Sequence, residues 1–286
     1  MNFRTIIIVM AVVTRTDYAA AVCEPIRIGY VNQERPPYYL GAGSDIPAKP
    51  GASAELFQRF AASAGCDASL RRLPVNRIIP SLAAGLLDFA PLDSSSKDIA
   101  DLAFPRDKNN QLDYGRAVPI NIVVFVRSAD HIPPATEPAK YFRDRLLGVT
   151  LGATYRARIQ GLGMKIDSGA VDIARNLEKL KLSRIDGFAV SVTSPGDMDA
   201  YVAQKYKGAI IRLPQPLFTD HIWIAASASY YAAHPGQVEK MWTWLGSAGK
   251  REYFNLLKEY GDMPLPTQQV GVRSAISTRA EPLTDD

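Results

Sequence analysis

The sequence predicts an α/β protein of two lobes, and three observations lead to this prediction. The chain has 286 residues, of which 47% are hydrophobic and 22% charged. This is the composition of a globular protein large enough to form two lobes. Short apolar segments alternate with segments in which apolar residues recur at helical spacing. The alternation occurs in two successive sets, as expected for two α/β units with a cleft between them.

Residues 1–21 have the pattern of an export signal. A basic residue is followed by an apolar run over 5–13, and residues 19–21 are small alanines suited to cleavage. The alternative is a buried N-terminal strand, because Arg15 and Asp17 are unusual so close to a cleavage site. We favour the signal, which places the mature protein in the periplasm.

The first set of elements forms the N-terminal part of the chain. Apolar residues that alternate or cluster predict strands at 26–30, 70–73 and 89–92. A loop rich in proline and glycine separates the first strand from a helix that Ser53 caps and Gly65 ends. A second helix is capped by Asn76, with Pro80 tolerated because it lies in or near the first turn.

The second set repeats the alternation. Strands are predicted at 120–126, 147–151, 185–190 and 222–226. Helical spacing predicts a short helix after 152–154, an amphipathic one at 171–182, and two closing helices around 238–245 and 253–260. Residues 263–286 contain few large apolar side chains, so we expect a loose tail.

Two cysteines, Cys23 and Cys66, follow the predicted signal. In an oxidising compartment an even pair predicts one disulfide, here between the start of the mature chain and the end of the first helix. A lipid anchor on Cys23 is the competing possibility, and Val22 weakens it because lipoprotein signals have a small residue at that place. The three histidines are scattered, so neither a zinc site nor another cofactor is predicted.

Charge and hydropathy argue against two function classes. The net charge of +4 is small, and the basic residues are spread along the chain, so no nucleic-acid surface is indicated. No apolar run of the sequence reaches the roughly 18–20 residues that a membrane-spanning helix needs.

Six segments, taken in order, carry a resemblance to a known family. They are Ile-Arg-Ile-Gly-Tyr at 26–30 with Arg-Pro-Pro-Tyr-Tyr at 35–39, the helix start 51–56 with Glu55, the segment 77–88, Leu-Ala-Phe at 102–104, the strand and turn at 147–154, and Ser-Arg-Ile-Asp at 183–186. This series resembles the bacterial extracellular solute-binding proteins of family 3, the polar-amino-acid receptors of ABC importers. The resemblance covers residues 24–261, and the ordered series is more specific than any single segment.

The resemblance implies the type II fold of periplasmic binding proteins, in which a two-strand hinge joins two α/β lobes that close on a small ligand. It places the crossings between lobes near 117–119 and 214–217. The lobes and tail then divide as 22–117 and 217–262 for the first lobe, 118–216 for the second, and 263–286 for the tail. A monomer is expected, with a small-molecule ligand and either an ABC permease or a membrane sensor as partner.

Arg35 and Tyr38 are candidate ligand contacts through the same resemblance. Members of the family have a ligand-stacking aromatic where this chain has Arg35, whose guanidinium can also stack or pair with a carboxylate. The alternative is a solvated loop arginine. Of Tyr38 and Tyr39, one is expected to line the cleft and the other to pack beneath it, and Tyr38 is the candidate for the lining.

The stretch that begins at Asp93 departs from the family pattern. Members that bind α-amino acids have an arginine shortly after a Ser/Thr-rich turn, where it clamps the ligand carboxylate. Here the candidates are Asp93, Ser94, Ser95 and Lys97, and the stretch contains no arginine. Lys97 is expected to supply the charge instead, or Arg106 or Arg77 to reach in, while the serines offer hydroxyl and backbone donors. The alternative is a polar loop without ligand contact.

Two further positions bear on the charge of the ligand. Ser191 stands where the family has the aspartate that holds the ligand ammonium, which argues against a standard zwitterionic amino acid. Thr154 stands where the family has a threonine at a helix N-terminus, whose free N–H groups favour an anion. The resemblance therefore implies a carboxylate-bearing ligand with altered charge clamps.

The sequence thus predicts a periplasmic solute-binding protein that delivers a small polar ligand to an ABC importer, with no catalytic residues. A ligand sensor on the same fold is the first alternative, since such proteins keep the lobes and lose the usual ligand residues. An enzyme such as a lyase or dehydratase is the second. Neither paired carboxylates nor a nucleophile–histidine arrangement stands out in the sequence in its favour.

Overall fold

The computed structural model of the protein describes residues 23–41 and 43–263. The predicted export signal at 1–21 lies outside these residues, as does all but the first residue of the predicted tail at 263–286. None of the helices in the described part is long and apolar enough to cross a membrane.

Strands and helices alternate through the described residues. The strands are β1 Ile26–Val31, β2 Ala68–Leu73, β3 Phe89–Asp93, β4 Leu102–Ala103, β5 Val118–Arg127, β6 Leu146–Thr150, β7 Lys165–Ala170, β8 Gly187–Val192, β9 Ile210–Arg212 and β10 Phe218–Ser227. The helices are α1 Ala52–Ala62, α2 Val75–Ala83, α3 Pro138–Tyr141, α4 Arg156–Gly161, α5 Ile173–Lys181, α6 Asp199–Tyr206, α7 Ala228–Ala233, α8 Pro235–Trp244 and α9 Lys250–Gly261. Each element predicted from the sequence is present with its ends shifted by a few residues, whereas β4, β7, β9, α3, α6 and α7 were not predicted.

One sheet runs through both lobes in the order β2-β1-β3-β10-β5-β8-β6-β7. In the first lobe β1 pairs in parallel with β2 and β3, and in the second β6 pairs in parallel with β7 and β8. Between these halves β5 and β10 pair antiparallel, from Val118 opposite Ile222 to Ile122 opposite Phe218. This pair forms the two-strand hinge, so the predicted two-lobe type II fold is confirmed. We propose that the lobes divide after residues 117 and 216, at the start of the two strands.

Large apolar side chains between the sheet and its helices form the cores. In the first lobe Ile28 of β1 packs in one cluster with Phe57 and Phe60 of α1. In the second lobe Val124 of β5 clusters with Leu147 of β6. All five are at most 2% exposed, and full burial of such a side chain contributes about 1.5–3 kcal/mol. These cores fix the strand ends from which the cavity walls extend.

The N-termini of α1 and α2 correct two sequence predictions. α1 begins after Gly51, whose φ of 104° suits glycine. Ser53 lies inside the helix, and its hydroxyl bonds to that of Tyr253 instead of capping the helix. α2 begins at Val75, ahead of Asn76, because the carbonyl of Pro74 already accepts a bond from the amide of Arg77. Pro80 consequently lies in the second turn of α2 and not in its first.

The structure confirms the predicted disulfide between Cys23 and Cys66. Their Cα atoms are 5.2 Å apart, which suits a disulfide. The side-chain amide of Gln237 on α8 lies 3.2 Å from the sulfur of Cys23 and 2.8 Å from that of Cys66. The bridge therefore holds the segment before β1, the end of α1 and the C-terminal helices in one place.

Candidate ligand-binding site

A cavity of about 360 Å³ lies between the two lobes. The first lobe lines it with the loop after β1, with α1 and α2, and with the end of β3. The second lobe contributes the loop after β6 and the end of β8, and Tyr253 of α9 also lines the cavity. The volume falls within the range of small-molecule sites, about 300–1,000 Å³.

Most of the cavity wall is apolar. Aliphatic side chains come from both lobes, among them Val31, Ile78, Leu92, Ile120, Val190 and Ile224. Aromatic rings form part of the first-lobe wall: Tyr30 stacks on Tyr39 with ring centroids 5.0 Å apart, and Phe57 lies 6.0 Å from Tyr30. Such a surface favours a ligand with an apolar part.

Arg35 reaches across the cavity from the first lobe to the second. Its Nη2 donates to the carbonyl oxygen of Ser191 and to the Oγ of the same residue, the latter at 2.5 Å. The guanidinium lies over the ring of Tyr38, with Cζ 5.2 Å from the ring centroid. Its Nε is buried and has no hydrogen-bond partner within the described residues. Arg35 therefore brings a positive charge with spare donor capacity to the wall.

Tyr38 makes the second polar connection between the lobes. Its hydroxyl donates to Oδ2 of Asp197 at 2.6 Å and accepts from the backbone N–H of Thr193 at 2.7 Å. The backbone N–H of Ser194 donates to the same Oδ2, also at 2.7 Å. The loop that follows β8 is thus bonded to the loop that follows β1.

Tyr253 of α9 extends this connection. Its hydroxyl lies 2.7 Å from that of Ser53 on α1, and it accepts from the hydroxyl of Thr193 at 3.5 Å. On the second-lobe side the hydroxyl of Tyr155 donates to the carbonyl oxygen of Ala189 at 3.1 Å. Each of these four hydroxyl groups is buried with a partner, as buried polar groups require.

Burial raises the pKa values of several groups between the lobes. It raises the pKa of Tyr38 well above 10.0, and the neighbouring Asp197 carboxylate adds to the effect. It also raises the pKa of Tyr155 to about 12. Burial raises the pKa of Asp197 above its ordinary 3.8, while the bonds from Tyr38 and Ser194 oppose that change. The tyrosines therefore stay protonated at neutral pH and act as donors.

Asp93 is the buried acid of the cavity wall. It is 5% exposed, and its Oδ1 accepts from the backbone N–H of Ser95 at 3.0 Å and from the hydroxyl of that residue at 2.5 Å. These bonds cap the 3₁₀ turn that follows β3. Glu34 also lines the cavity, but it is exposed. Asp93 thus combines a structural bond to its own turn with a position at the wall.

The structure brings together five of the nine side chains that the sequence proposed as ligand contacts. The five that line the cavity are Arg35, Tyr38, Asp93, Thr154 and Ser191. The four that lie outside its lining are Arg77, Ser94, Ser95 and Lys97.

The chain turns away from the cavity directly after Asp93. Residues 94–96 form a 3₁₀ turn, and Lys97 emerges exposed at its end. There its Nζ pairs with Asp98 at 2.8 Å. Arg77 is exposed on α2. The structure therefore does not place either cation where it would replace the arginine that the family pattern has.

Sequence reasoning missed several residues of the wall, above all Tyr30, Thr193 and Tyr253. Thr193 had a usable signal, because it lies two residues beyond Ser191 and residues at that spacing share a strand face. Tyr253 lies on a helix whose apolar spacing indicates only core packing. Asp197, which holds Tyr38, comes from the loop after β8, for which no spacing rule exists.

Gly152 marks a close approach between the lobes. Its φ is +78°, and a Cβ placed on it would lie 2.4 Å from Cγ1 of Val75 on α2 and 2.9 Å from Cγ2. Gly152 belongs to the second lobe and Val75 to the first, and both line the cavity. Only a residue without a side chain fits between the lobes at this point.

No group of three or more His, Cys, Asp or Glu side chains within residues 23–41 and 43–263 is placed to hold a metal ion. What the arrangement offers chemically is an enclosed, mainly apolar chamber with one guanidinium, one buried carboxylate and several tyrosine hydroxyls at its wall. These are groups that orient a ligand by charge and hydrogen bonding.

The sequence matches no protein-family model and no curated protein. Solved structures share its fold, however. One is the ligand-binding core of GluR0 from Nostoc punctiforme in complex with L-glutamate, with a TM-score of 0.61 and 14% identity over 84% of this chain and 100% of that one. A second is AbpA, an amino acid ABC transporter substrate-binding protein from Streptococcus pneumoniae bound to L-arginine, with a TM-score of 0.59 and 12% identity over 83% of this chain and 94% of that one.

A third similar structure is the ancestral amino acid-binding protein AncCDT-1, described as a precursor of cyclohexadienyl dehydratase. Its TM-score is 0.59 at 16% identity, over 82% of this chain and 95% of that one. At these identities the likeness establishes the fold. The three structures therefore agree with the two-lobe architecture.

Proposed function

We propose that this chain is a periplasmic solute-binding protein that encloses a small carboxylate-bearing molecule between its lobes and delivers it to an ABC importer. The observation that carries the proposal is the cavity between the lobes, whose opposite walls are joined by bonds from Arg35 and Tyr38. A ligand held there is surrounded from both sides, and the lobes must part to release it. Capture and release by hinge closure is the working cycle of a receptor.

A carboxylate is supported by two donors that lack acceptors. The Nε of Arg35 and the hydroxyl of Tyr30 are buried without a hydrogen-bond partner within the described residues, and both residues line the cavity. A buried donor without an acceptor costs about 1–3 kcal/mol. A ligand carboxylate offers acceptor oxygens and a charge opposite to that of the guanidinium.

The proposed periplasmic location and the proposed importer partner are supported by separate observations. The predicted export signal and the Cys23–Cys66 disulfide both support a periplasmic protein, because disulfides persist in oxidising compartments. The shared fold with an ABC transporter substrate-binding protein from Streptococcus pneumoniae supports delivery to an importer. A membrane sensor is the alternative partner.

We infer binding without catalysis. Of the two carboxylates at the wall, Asp93 is bonded to its own turn and Glu34 is exposed. These two side chains therefore do not form an enclosed pair of acids, which is the arrangement that acid–base catalysis commonly uses. The fold shared with a dehydratase precursor makes turnover worth testing directly.

Native mass spectrometry of the mature protein, purified from periplasm without denaturation, tests the proposal. We expect a bound molecule of about amino-acid size, in line with the volume of the cavity. An empty protein whose melting temperature does not change with any amino acid, organic acid or amine would overturn it. Crosslinking in cells then identifies the membrane partner. Capture of a permease supports delivery to an importer, and capture of a membrane sensor contradicts that delivery.

A further inference from the structure

Three charged side chains line the cavity, namely Glu34, Arg35 and Asp93, and Arg35 is the one cation among them. Glu34 is exposed. Asp93 accepts two bonds from Ser95 at one of its oxygens. Arg35 forms no ion pair within the described residues and keeps a buried Nε without a partner. The strongest unmet electrostatic requirement of the cavity is therefore for an anion beside Arg35.

The acceptors near Arg35 are already occupied. The carbonyl and hydroxyl oxygens of Ser191 accept from Arg35 itself, and Oδ2 of Asp197 accepts from Tyr38 and from the amide of Ser194. An ammonium group placed next to a carboxylate on Arg35 would find these oxygens taken. It would also stand close to a guanidinium of the same sign, which is unfavourable in a cavity of low dielectric.

The remainder of the wall favours hydrocarbon. Branched aliphatic side chains from both lobes and the rings of Tyr30, Tyr39 and Phe57 surround the space. A ligand with a strongly polar body would lose its hydration there and find few polar partners, because most of the wall is apolar. An aliphatic or aromatic body gains about 25 cal/mol for each Å² of apolar surface that it buries.

We propose that the ligand is a monocarboxylic acid with an apolar body and without an ammonium group beside its carboxylate. Arg35 binds the carboxylate through the donors that Ser191 leaves free, and Ser191 holds the guanidinium in place from the opposite lobe. This inference rests on the proposed function, because it assumes that the cavity between the lobes is the ligand site.

Two matched series of compounds test the inference by calorimetry. The first is 4-methylpentanoate, leucine and 3-methylbutylamine, and the second is 3-phenylpropanoate, phenylalanine and 2-phenylethylamine. Within each series the hydrocarbon part of the molecule stays the same, and only the charged groups differ. We expect at least one of the two acids to bind about tenfold or more tightly than the amino acid of its series, and the amines not to bind.

Variants of Arg35 test whether its positive charge binds the carboxylate of the ligand. Arg35→Gln should weaken binding of the acid by about tenfold or more, and Arg35→Lys, which keeps the charge, should restore part of that loss. The matched control is Arg71→Gln, at an exposed position on β2 outside the cavity. Circular dichroism and melting temperature show whether each variant is folded before its affinity is compared.

The possible results separate the inference from the proposed function. Binding of an amino acid or an amine as tight as that of the matching acid would overturn the inference and leave the receptor function standing. Asp93 would then be the group that holds the ammonium. A folded Arg35→Gln protein with unchanged affinity for the acid would overturn the role of Arg35. If none of the six compounds binds, the inference fails. The receptor function fails as well only if the protein also purifies empty and no amino acid, organic acid or amine changes its melting temperature.

Discussion

The hydroxyl of Tyr38 lies 2.6 Å from Oδ2 of Asp197, and this bond joins the loop after β1 in the first lobe to the loop after β8 in the second. The same hydroxyl accepts from the amide of Thr193. Both partners belong to the second lobe. The bonds of Tyr38 therefore join the two lobes across the cleft, and we expect them to break if the lobes separate.

Replacing Tyr38 with phenylalanine should destabilise the closed protein. The variant leaves the buried amide of Thr193 without its acceptor and removes the donor to Asp197, a loss of about 1–3 kcal/mol. Chemical denaturation measures the change. Tyr114→Phe is the control, because Tyr114 is 56% exposed and should change stability by no more than about 0.5 kcal/mol. Equal effects of the two variants would contradict the role given to Tyr38.

The stability of the protein should carry a pH-dependent contribution from Asp197. Burial raises the pKa of this carboxyl above 3.8 in the folded protein, so the folded state binds the proton more tightly than the unfolded chain. The contribution is complete below pH 3.8 and is lost as the pH rises through the raised pKa. Asp197→Asn cannot ionise, so its melting temperature relative to the wild type should increase with pH across this window. Asp144→Asn, at an exposed position, is the control, and a parallel trend in both variants would refute the assignment.

A side chain at position 152 should hold the lobes apart. Gly152→Ala places a Cβ 2.4 Å from Val75 across the cleft, and Val is too stiff at its Cβ to move aside easily. Gly163→Ala is a close control, because Gly163 has the same φ of +78° but nothing within 4 Å of its Cβ position. Both variants carry the backbone strain, of about 1–2 kcal/mol. Only Gly152→Ala should increase the radius of gyration in small-angle X-ray scattering.

A second substitution tests the same contact. Val75→Ala in the Gly152→Ala background removes the opposing methyl groups and should restore the compact form. The double-mutant cycle then isolates the energy of this one contact. An expanded double variant would show that the loop around residue 152 is distorted for another reason.

Removal of the disulfide should cost a large part of the stability. Cys23 and Cys66 are 43 residues apart, and closing a loop of that size contributes about 4 kcal/mol in the chain-entropy model. The Cys23→Ser, Cys66→Ser double variant should unfold at correspondingly lower denaturant. Alkylation with and without reductant, followed by mass spectrometry, verifies the bridge in the wild type. Thiols that label without reduction would disprove it.

More of the fold than of the candidate site could be predicted from the sequence. The apolar alternation of β1 and the apolar runs of β5 and β8 are strong signals, because these strands are mostly buried. β7, with the sequence Lys-Ile-Asp-Ser-Gly-Ala, is an edge strand with only one buried residue and carries no such signal. Positions such as Arg35 and Ser191 could be placed at the cleft one by one. Their bond to each other depends on how far the lobes close, which no local pattern encodes.

Lys97 shows why residue type and proximity in sequence are not enough. It lies four residues from Asp93, at the end of β3, and has the charge that a carboxylate needs. A single 3₁₀ turn between the two positions reverses the chain and leaves Lys97 beside Asp98 at the surface. A turn of this kind rests on the bonds of one side chain, here Asp93 to Ser95.

The position of β10 between β3 and β5 has a consequence for the order in which the lobes can be assembled. The second lobe takes most of its strands from one continuous stretch, so its pairings close shorter loops than the pairing of β3 with β10 does. The first lobe needs β10 at the centre of the sheet and α9 against α1, where Tyr260 bonds to Glu55 at 2.9 Å. During synthesis the first lobe therefore stays incomplete until the last helix has emerged, and a truncated chain lacks the wall on which its ligand would rest.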